Sequence, residues 1–368
     1  MTLKALFESS CRDFITFKGG TSLSKGWHVI ERFSEDIDIA IDKSFWRIAG
    51  DNKSQRDRIR KLSRAYIEQR LVAEMQALLE GYDFELRAVP AQDSDADPTL
   101  VLLPYRSIYA NIEYVESQIR IEFSCRSMKE PRERIEIRPL IAEAYPDVFG
   151  ELVFPIYAVV PSRTFLEKAF LLHEEFQKEN PRVERMTRHL YDLERLMDTD
   201  FGKAALADPK MYVEIVRHRS IFNTIRGVDY RTHHPSRIDF IPPEKLAEVW
   251  RRDYERMQEY FIYGDSLPYD RLIARMAELR DRVRKVIFSA NRNYESRVLF
   301  PERSSSDRGK RRDFCFDRFV QRHGFAGISA LAGACFACPR RTWRDRILLF
   351  QRGQFGGSFG AFFSSFWV

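Results

Sequence analysis

Apolar positions change their spacing once along the chain, near residue 155, and that change divides the sequence into two parts. Before it, period two predominates. Phe14-Ile15-Thr16-Phe17 predicts a short strand that breaks at Lys18-Gly19-Gly20, and Thr21 to Ile30 predicts a short helix capped by Thr21 or Ser22. Glu35-Asp36-Ile37-Asp38-Ile39-Ala40-Ile41 alternates acidic and apolar residues, the pattern of a strand with one buried face. Further strands are predicted over Phe84 to Val89, Leu100 to Leu103 and Gln118 to Ser124, the last with Ile119, Ile121 and Phe123 on one face. Residues 2–12 read as the end of an amphipathic helix, 55–80 as a long helix, and Asp93 to Pro98 as a polar hairpin loop. After about Pro155 the apolar residues recur every 3.6 positions, which predicts helices over 161–179, 182–199, 210–223, 243–262 and 268–288. There is no internal repeat. The expected fold class is α+β: a domain over 1–155 with a small mixed or antiparallel sheet, then a helical domain over 156–300.

Composition narrows the class. With 368 residues and 44% hydrophobic content, core size is no obstacle to folding. No apolar run approaches the roughly 20 residues that span a bilayer, and Met1-Thr2-Leu3-Lys4 lacks a signal-peptide core. Five cysteines, an odd number in a long chain, argue against a disulfide scaffold and for a reducing compartment. A cytoplasmic protein with no membrane partner is expected. The net charge of +6 is not spread evenly: Arg303 to Val368 carries +8 and the rest −2. Residues 301–368 follow neither period and read as a disordered or out-of-frame tail. Arg/Gly-rich tails can bind RNA, and Cys335-Phe336-Ala337-Cys338 has the spacing of half a zinc site or a redox turn, but without a second pair.

Candidate chemistry concentrates near the N-terminus. Asp36 and Asp38 stand two apart on a predicted strand, so both carboxylates leave the same face. Like charges so placed repel unless a cation sits between them. Upstream, Gly19-Gly20-Thr21-Ser22 permits close backbone approach to a ligand, and amides at the following helix start point toward an anion. The unit reads as phosphates at the turn and Mg²⁺ at the acids, the arrangement of two-ion phosphoryl transfer. A third carboxylate is expected from a neighbouring strand. Glu122, a charge on a strand whose alternate positions are apolar, is the candidate; its plain alternative is a solvent-facing acid paired with Arg120 or Arg126.

Lys18-Gly19-Gly20-Thr21-Ser22-Leu23-Ser24-Lys25 followed by Glu31-Arg32-Phe33-Ser34-Glu35-Asp36-Ile37-Asp38 resembles the signature of AbiEii-type nucleotidyltransferase toxins, within the polymerase-β nucleotidyltransferase superfamily. Arg163-Thr164-Phe165-Leu166-Glu167-Lys168 with His173, and Arg188-His189-Leu190-Tyr191-Asp192-Leu193, resemble the family's later motifs. The resemblance covers roughly residues 1–295. It implies a nucleotidyltransferase domain completed by the helical domain, with Asp36, Asp38, Lys168 and Asp192 catalytic and Asp36, Asp38 and Glu122 holding Mg²⁺. Gly19, Gly20, Thr21, Ser22, Ser34 and Lys168 would bind the nucleotide. Plain readings stand beside these roles: a solvated helix lysine for Lys168, an i,i+4 salt bridge between Arg188 and Asp192, a turn or cap hydroxyl for Ser34, and a packing role for His173.

The resemblance further implies a toxin of a toxin–antitoxin or phage-abortive-infection pair. It would move a nucleoside monophosphate from a triphosphate (GTP, ATP, CTP or UTP) to an acceptor, with the tRNA 3′ end as one candidate and an antitoxin as a partner. Arg217-His218-Arg219, Arg226 and Arg231-Thr232-His233-His234 are candidate RNA contacts, with solvated helix ends as the plain alternative. Other acceptors, a protein hydroxyl or a small molecule, keep the same fold. A disabled protein that only binds nucleotide or antitoxin is the rival from another class. Family members carry a helical segment before the position of Met1, so Met1 reads as an internal start.

Overall fold

The structure, a computed structural model, describes residues 1–285 except 49–51, 83–84, 92, 94–96, 106–116, 129, 150–151 and 224. The expected tail and its Cys335/Cys338 pair lie outside the described residues. The first elements are α1 (Thr2–Glu8), β1 (Ile15–Lys18), α2 (Gly19–Lys25) and β2 (Asp36–Ile41). A long helix follows, α3 (Lys53–Tyr66), passing through a π turn at Ile67–Leu71 into α4 (Val72–Leu78). Asn52 and Gln55 form a reciprocal capping box at its start. Next come β3 (Arg87–Ala88), β4 (Thr99–Pro104), β5 (Gln118–Ser124), β6 (Arg132–Ile137), the short helices α5 (Leu140–Ala144) and α6 (Pro146–Phe149), and β7 (Phe154–Val159). The remaining elements are helical: α7 (Pro161–Glu175), α8 (Arg188–Met197), α9 (Asp200–Ala207), α10 (Pro209–Phe222), α11 (Ala247–Tyr260) and α12 (Tyr269–Arg284).

The strands form one mixed sheet in the order β3-β4-β5-β2-β1-β7-β6. β2 runs parallel to β5 and β1 parallel to β7, and the other neighbours are antiparallel. The α+β class holds, but the sheet is larger than expected because β6 and β7 join it. In Arg132-Glu133-Arg134-Ile135-Glu136-Ile137 only Ile135 and Ile137 alternate and pack on the core; the charges at the other positions suit an edge strand, where they guard against further pairing. Pro155 looks like a break, yet β7 pairs with β1 only at Phe17↔Ala158, so the missing N–H falls outside that ladder. Conversely, of the strand expected over Phe84 to Val89, Phe84 lies outside the described residues, and among the others only Arg87–Ala88 form a strand.

Two buried apolar clusters fill the interior. One packs Ile37, Ile39 and Ile41 of β2 with Ile121 and Phe123 of β5 against Leu6, Ile67 and Leu71. The other gathers Phe165, Phe170, Leu190, Tyr212, Trp250 and Met276 from the helices. α7 is buried on almost every side, polar residues included, so each of those must find a partner. His173 Nδ1 lies 2.9 Å from Asp239 O and 3.1 Å from the Asp239 amide, and Nε2 lies 2.8 Å from Thr232 Oγ1, so both ring nitrogens are partnered. The Arg219 guanidinium chelates Glu174, and His233 Nε2 lies 3.1 Å from the same carboxylate. His173 thus has the packing role. Arg219 and His233, read as candidate RNA contacts, are instead tied to this buried carboxylate, and His233 is fully buried. Arg217 and Arg226 stay exposed, and Arg231 pairs with Asp229.

Acid should attack this network in two stages. Burial, helped by His233, lowers the His173 pKa to about 4 from 6.5. Burial pushes the Glu174 carboxyl up, but hydrogen bonds from Arg219 and His233 more than reverse this and hold it at about 2, below 4.5. His173 stays neutral in the fold and gains a proton on unfolding, so its share of stability is lost between pH 6.5 and 4. That of Glu174, charged in the fold, is lost between 4.5 and 2. Each share is about 3 kcal/mol. Urea unfolding should therefore show stability falling from pH 7 to pH 4; a flat profile would mean that His173 is not held neutral.

Candidate active site

β1 ends at Lys18 and the chain turns at Gly19, whose φ of +78° suits glycine alone without strain. A Cβ on Gly19 would collide with Asp38 Oδ2, and one on Gly20 would stand 2.6 Å from Arg32 Nη2 and 3.0 Å from Ser34 Oγ. The turn therefore lies directly against Asp38 and the segment before β2. α2 starts here, two residues earlier than the sequence suggests. Lys18 is its N-cap and no side chain caps it. Thr21 Oγ1 donates to Asp36 O instead, and Ser22 Oγ donates to Gly19 O at 2.9 Å, so both hydroxyls brace the turn rather than cap the helix.

Sheet register assembles the acids. Asp38 of β2 pairs with Lys18 of β1 on one side and Glu122 of β5 on the other, while Asp36 pairs with Arg120. Glu122 is thus brought to Asp36 and Asp38 as expected. Its plain alternative holds as well: Arg120 Nη2 lies 3.4 Å from Glu122 and Arg120 Nε 3.6 Å from Asp36. Burial, then the charges of Asp38 and Asp36, push the Glu122 carboxyl up. Among the described residues no three His, Cys, Asp or Glu side chains are gathered as a metal centre. The Arg120 guanidinium reaches two of the three carboxylates. The donor set, three carboxylates on one sheet face, still has the chemistry of a hard divalent cation site.

The helical side contributes one buried triad. Asp192 of α8 is fully buried; Arg32 Nε and Nη2 donate to its two oxygens at 2.7 and 2.8 Å, and Lys168 Nζ of α7 lies 2.8 Å from Oδ2. Burial opposes the Asp192 charge, but Arg32 and Lys168 outweigh it and hold the carboxyl well below the usual range. Burial lowers the Lys168 ammonium, against the pull of Asp192. Both plain readings of these residues fail. Lys168 is 7% exposed, not solvated. Asp192 pairs with Lys168 and Arg32, while Arg188 turns the other way, its Nη1 3.7 Å from Asp36 Oδ2.

Ser34 lines a narrow cleft with Arg32, Phe33, Glu35, Arg185 and Arg188. Sequence reasoning assigned no role to Arg32, Glu35 or Arg185. Arg32 and Glu35 lie inside the motif quoted for the resemblance, which was the available signal. Arg185, at φ +60°, reaches Glu35 Oε2 at 2.6 Å from a segment with no such mark.

The family model "Nucleotidyl transferase AbiEii toxin, Type IV TA system" matches residues 2–281. The chain belongs to this family. It is accordingly a nucleotidyl transferase and a toxin of a toxin–antitoxin system, and the match spans the glycine turn, the acids and the Arg32–Asp192–Lys168 triad. No curated protein matches the sequence. Among the described residues no helix is long and apolar enough to cross a membrane.

The triad orders two substitutions. Asp192→Ala strands two buried cations and should cost about 3–5 kcal/mol in urea unfolding at neutral pH. Lys168→Ala leaves the Arg32–Asp192 pair intact and should cost less; equal losses would mean that Lys168 carries the triad. Gly19→Ala should cost about 1–2 kcal/mol for its left-handed backbone and displace Asp38. A wild-type melting temperature would refute the close approach.

Proposed function

We propose that this AbiEii-family transferase moves a nucleoside monophosphate from a Mg²⁺-bound nucleoside triphosphate to an acceptor hydroxyl, releasing pyrophosphate. The observation that carries the proposal is the register of β1, β2 and β5, which brings Asp36, Asp38 and Glu122 to one patch against the Gly19–Gly20 turn. Asp36 and Asp38, joined by Glu122, would hold the metal, and Arg120 would have to release the acids. Bound there, Mg²⁺ would favour the attacking alkoxide and neutralise charge on the leaving pyrophosphate. Gly19 and Gly20 let the backbone approach the phosphates, with Thr21 and Ser22 fixing the turn and Ser34 facing it. Lys168 is the candidate lysine for the triphosphate, positioned by Asp192. Arg188, with its side chain 33% exposed and facing Asp36, is a second cation for the same oxygens.

The acceptor proposed is the 3′ end of tRNA, met in the cytoplasm, with a cognate antitoxin as regulator and phage defence as the setting. The support is the family's toxin role together with the exposed Arg217 and Arg226. Arg219, tied to Glu174, and the buried His233 withdraw part of the RNA surface read from the sequence. Transfer to a protein hydroxyl or a small molecule would use the same acids.

The test is incubation of the protein, beside Asp36→Ala/Asp38→Ala, with Mg²⁺, each α-labelled triphosphate and total tRNA. Label is expected in tRNA only with the intact acids. Label in protein would change the acceptor; equal labelling by the variant would remove the acids from the chemistry.

A further inference from the structure

Glu35 immediately precedes Asp36, yet it points into the cleft between the segment before β2 and the segment leading into α8. Its side chain is 7% exposed. Oε2 accepts from Arg185 Nη2 at 2.6 Å, but Oε1 is buried and has no hydrogen-bond partner. A carboxylate oxygen out of water and without a donor is costly, and in a native protein such an atom asks for a ligand or an ordered water. The surroundings are those of a small aromatic site. Phe33, 40% exposed, stands at the cleft with its ring edge to Phe261 at 5.9 Å, and the Arg185 guanidinium lies 4.9 Å over the Phe261 ring. Arg185 reaches this place from a left-handed backbone, φ +60°, uncommon for a residue with a side chain.

The cleft also adjoins the proposed chemistry. Ser34, on its wall, faces Gly20 of the turn, and Arg188, on the opposite wall, approaches Asp36 at 3.7 Å. A group bound here is within a residue of the acids and of the turn assigned to phosphates. Its enclosed part is only water-sized, so a ring would lie on the exposed face of Phe33 and send one polar group inward.

We propose that this cleft is the nucleobase subsite of the transferase, and that it prefers bases bearing an exocyclic amino group. The proposal rests on the nucleotidyl transfer proposed above. An amino N–H of cytosine, adenine or guanine supplies the donor that Glu35 Oε1 lacks, and the neighbouring ring acceptor or carbonyl meets the Arg185 guanidinium. Uracil offers only its ring N3–H, flanked by two carbonyl oxygens, one of which would be forced toward the carboxylate. A site built to accept a specific N–H discriminates strongly, because the wrong base leaves the buried acceptor unpaired. Phe33 contributes stacking that every base shares.

Equilibrium binding of the four non-hydrolysable α,β-methylene triphosphates and of inorganic tripolyphosphate, each with Mg²⁺, tests this in the wild type, Glu35→Ala, Glu35→Gln and Phe33→Ala. The wild type should bind the amino-bearing analogues at least about tenfold tighter than the uridine one. Glu35→Ala should erase most of that difference while leaving tripolyphosphate binding unchanged. Phe33→Ala, at a position 40% exposed, should weaken all four analogues together and spare tripolyphosphate. If Glu35→Ala is too unstable, Glu35→Gln carries the test: its amide oxygen must stay with the Arg185 donor, so its NH2 replaces Oε1 and the preference should turn toward the uridine analogue. Unchanged selectivity in the Glu35 variants, a wild type indifferent to uracil, or an equal loss for tripolyphosphate would each overturn the subsite. Failure of the wild type to bind tripolyphosphate or any analogue would instead overturn the underlying transferase reading, and the subsite with it.

Discussion

The buried carboxylate of Asp192 is the point on which the site turns. An ionised group this deep is tolerable only when cations meet it at hydrogen-bond distance, and two do, from different parts of the chain. Lys168 comes from the neighbouring helix α7. Arg32 comes from the segment that runs into β2, so its pair with Asp192 ties the acidic strand to the helices. The same segment is pinned again from the helical side: Arg32 bridges Ile262, and Phe33 N–H donates to Phe261 O at 2.7 Å. Arg185 holds Glu35 at 2.6 Å. Asp36 begins its strand at the end of a segment fixed from the helical side, so the placement of a carboxylate on the sheet is set by contacts about 160 residues away.

This dependence explains what the sequence shows and what it hides. The acidic strand is legible because its alternation is local, with Ile37, Ile39 and Ile41 buried and Asp36 and Asp38 on the other face. Glu122 is legible for the same reason, as a charge among apolar positions. Its register with Asp38 is not, since strand pairing is non-local. β6 hides because only Ile135 and Ile137 of its six residues are apolar, and β7 hides behind Pro155. The residues read most blandly, Lys168 and Asp192, are deeply buried. Helical spacing suggested a solvated lysine and an i,i+4 pair, because periodicity along one helix says nothing of a guanidinium arriving from Arg32. Only the resemblance marked those two positions, and it gave Arg185 no mark at all.

The polar hairpin loop is a smaller instance. Asp97 accepts from Ser124 Oγ at 2.6 Å and from the Cys125 amide at 3.2 Å, so it fastens the end of β5, the strand that carries Glu122. A cluster of short polar residues signals a loop, but not which of them bonds to the neighbouring strand.

Charge balance across the cleft constrains any ligand. Asp36 stands between Arg120 at 3.6 Å and Arg188 at 3.7 Å, distances longer than a good charge-assisted hydrogen bond. Burial, and then the neighbouring Arg32 and Arg185, lower the Arg188 pKa. The acids and the arginines thus hold each other loosely. A cation alone would satisfy the carboxylates but release arginines with nothing to bind. An anion alone would satisfy the arginines and leave the carboxylates repelling one another. The triphosphate proposed above, carrying its own metal ion, would bring both signs at once and leave neither the acids nor the arginines uncompensated.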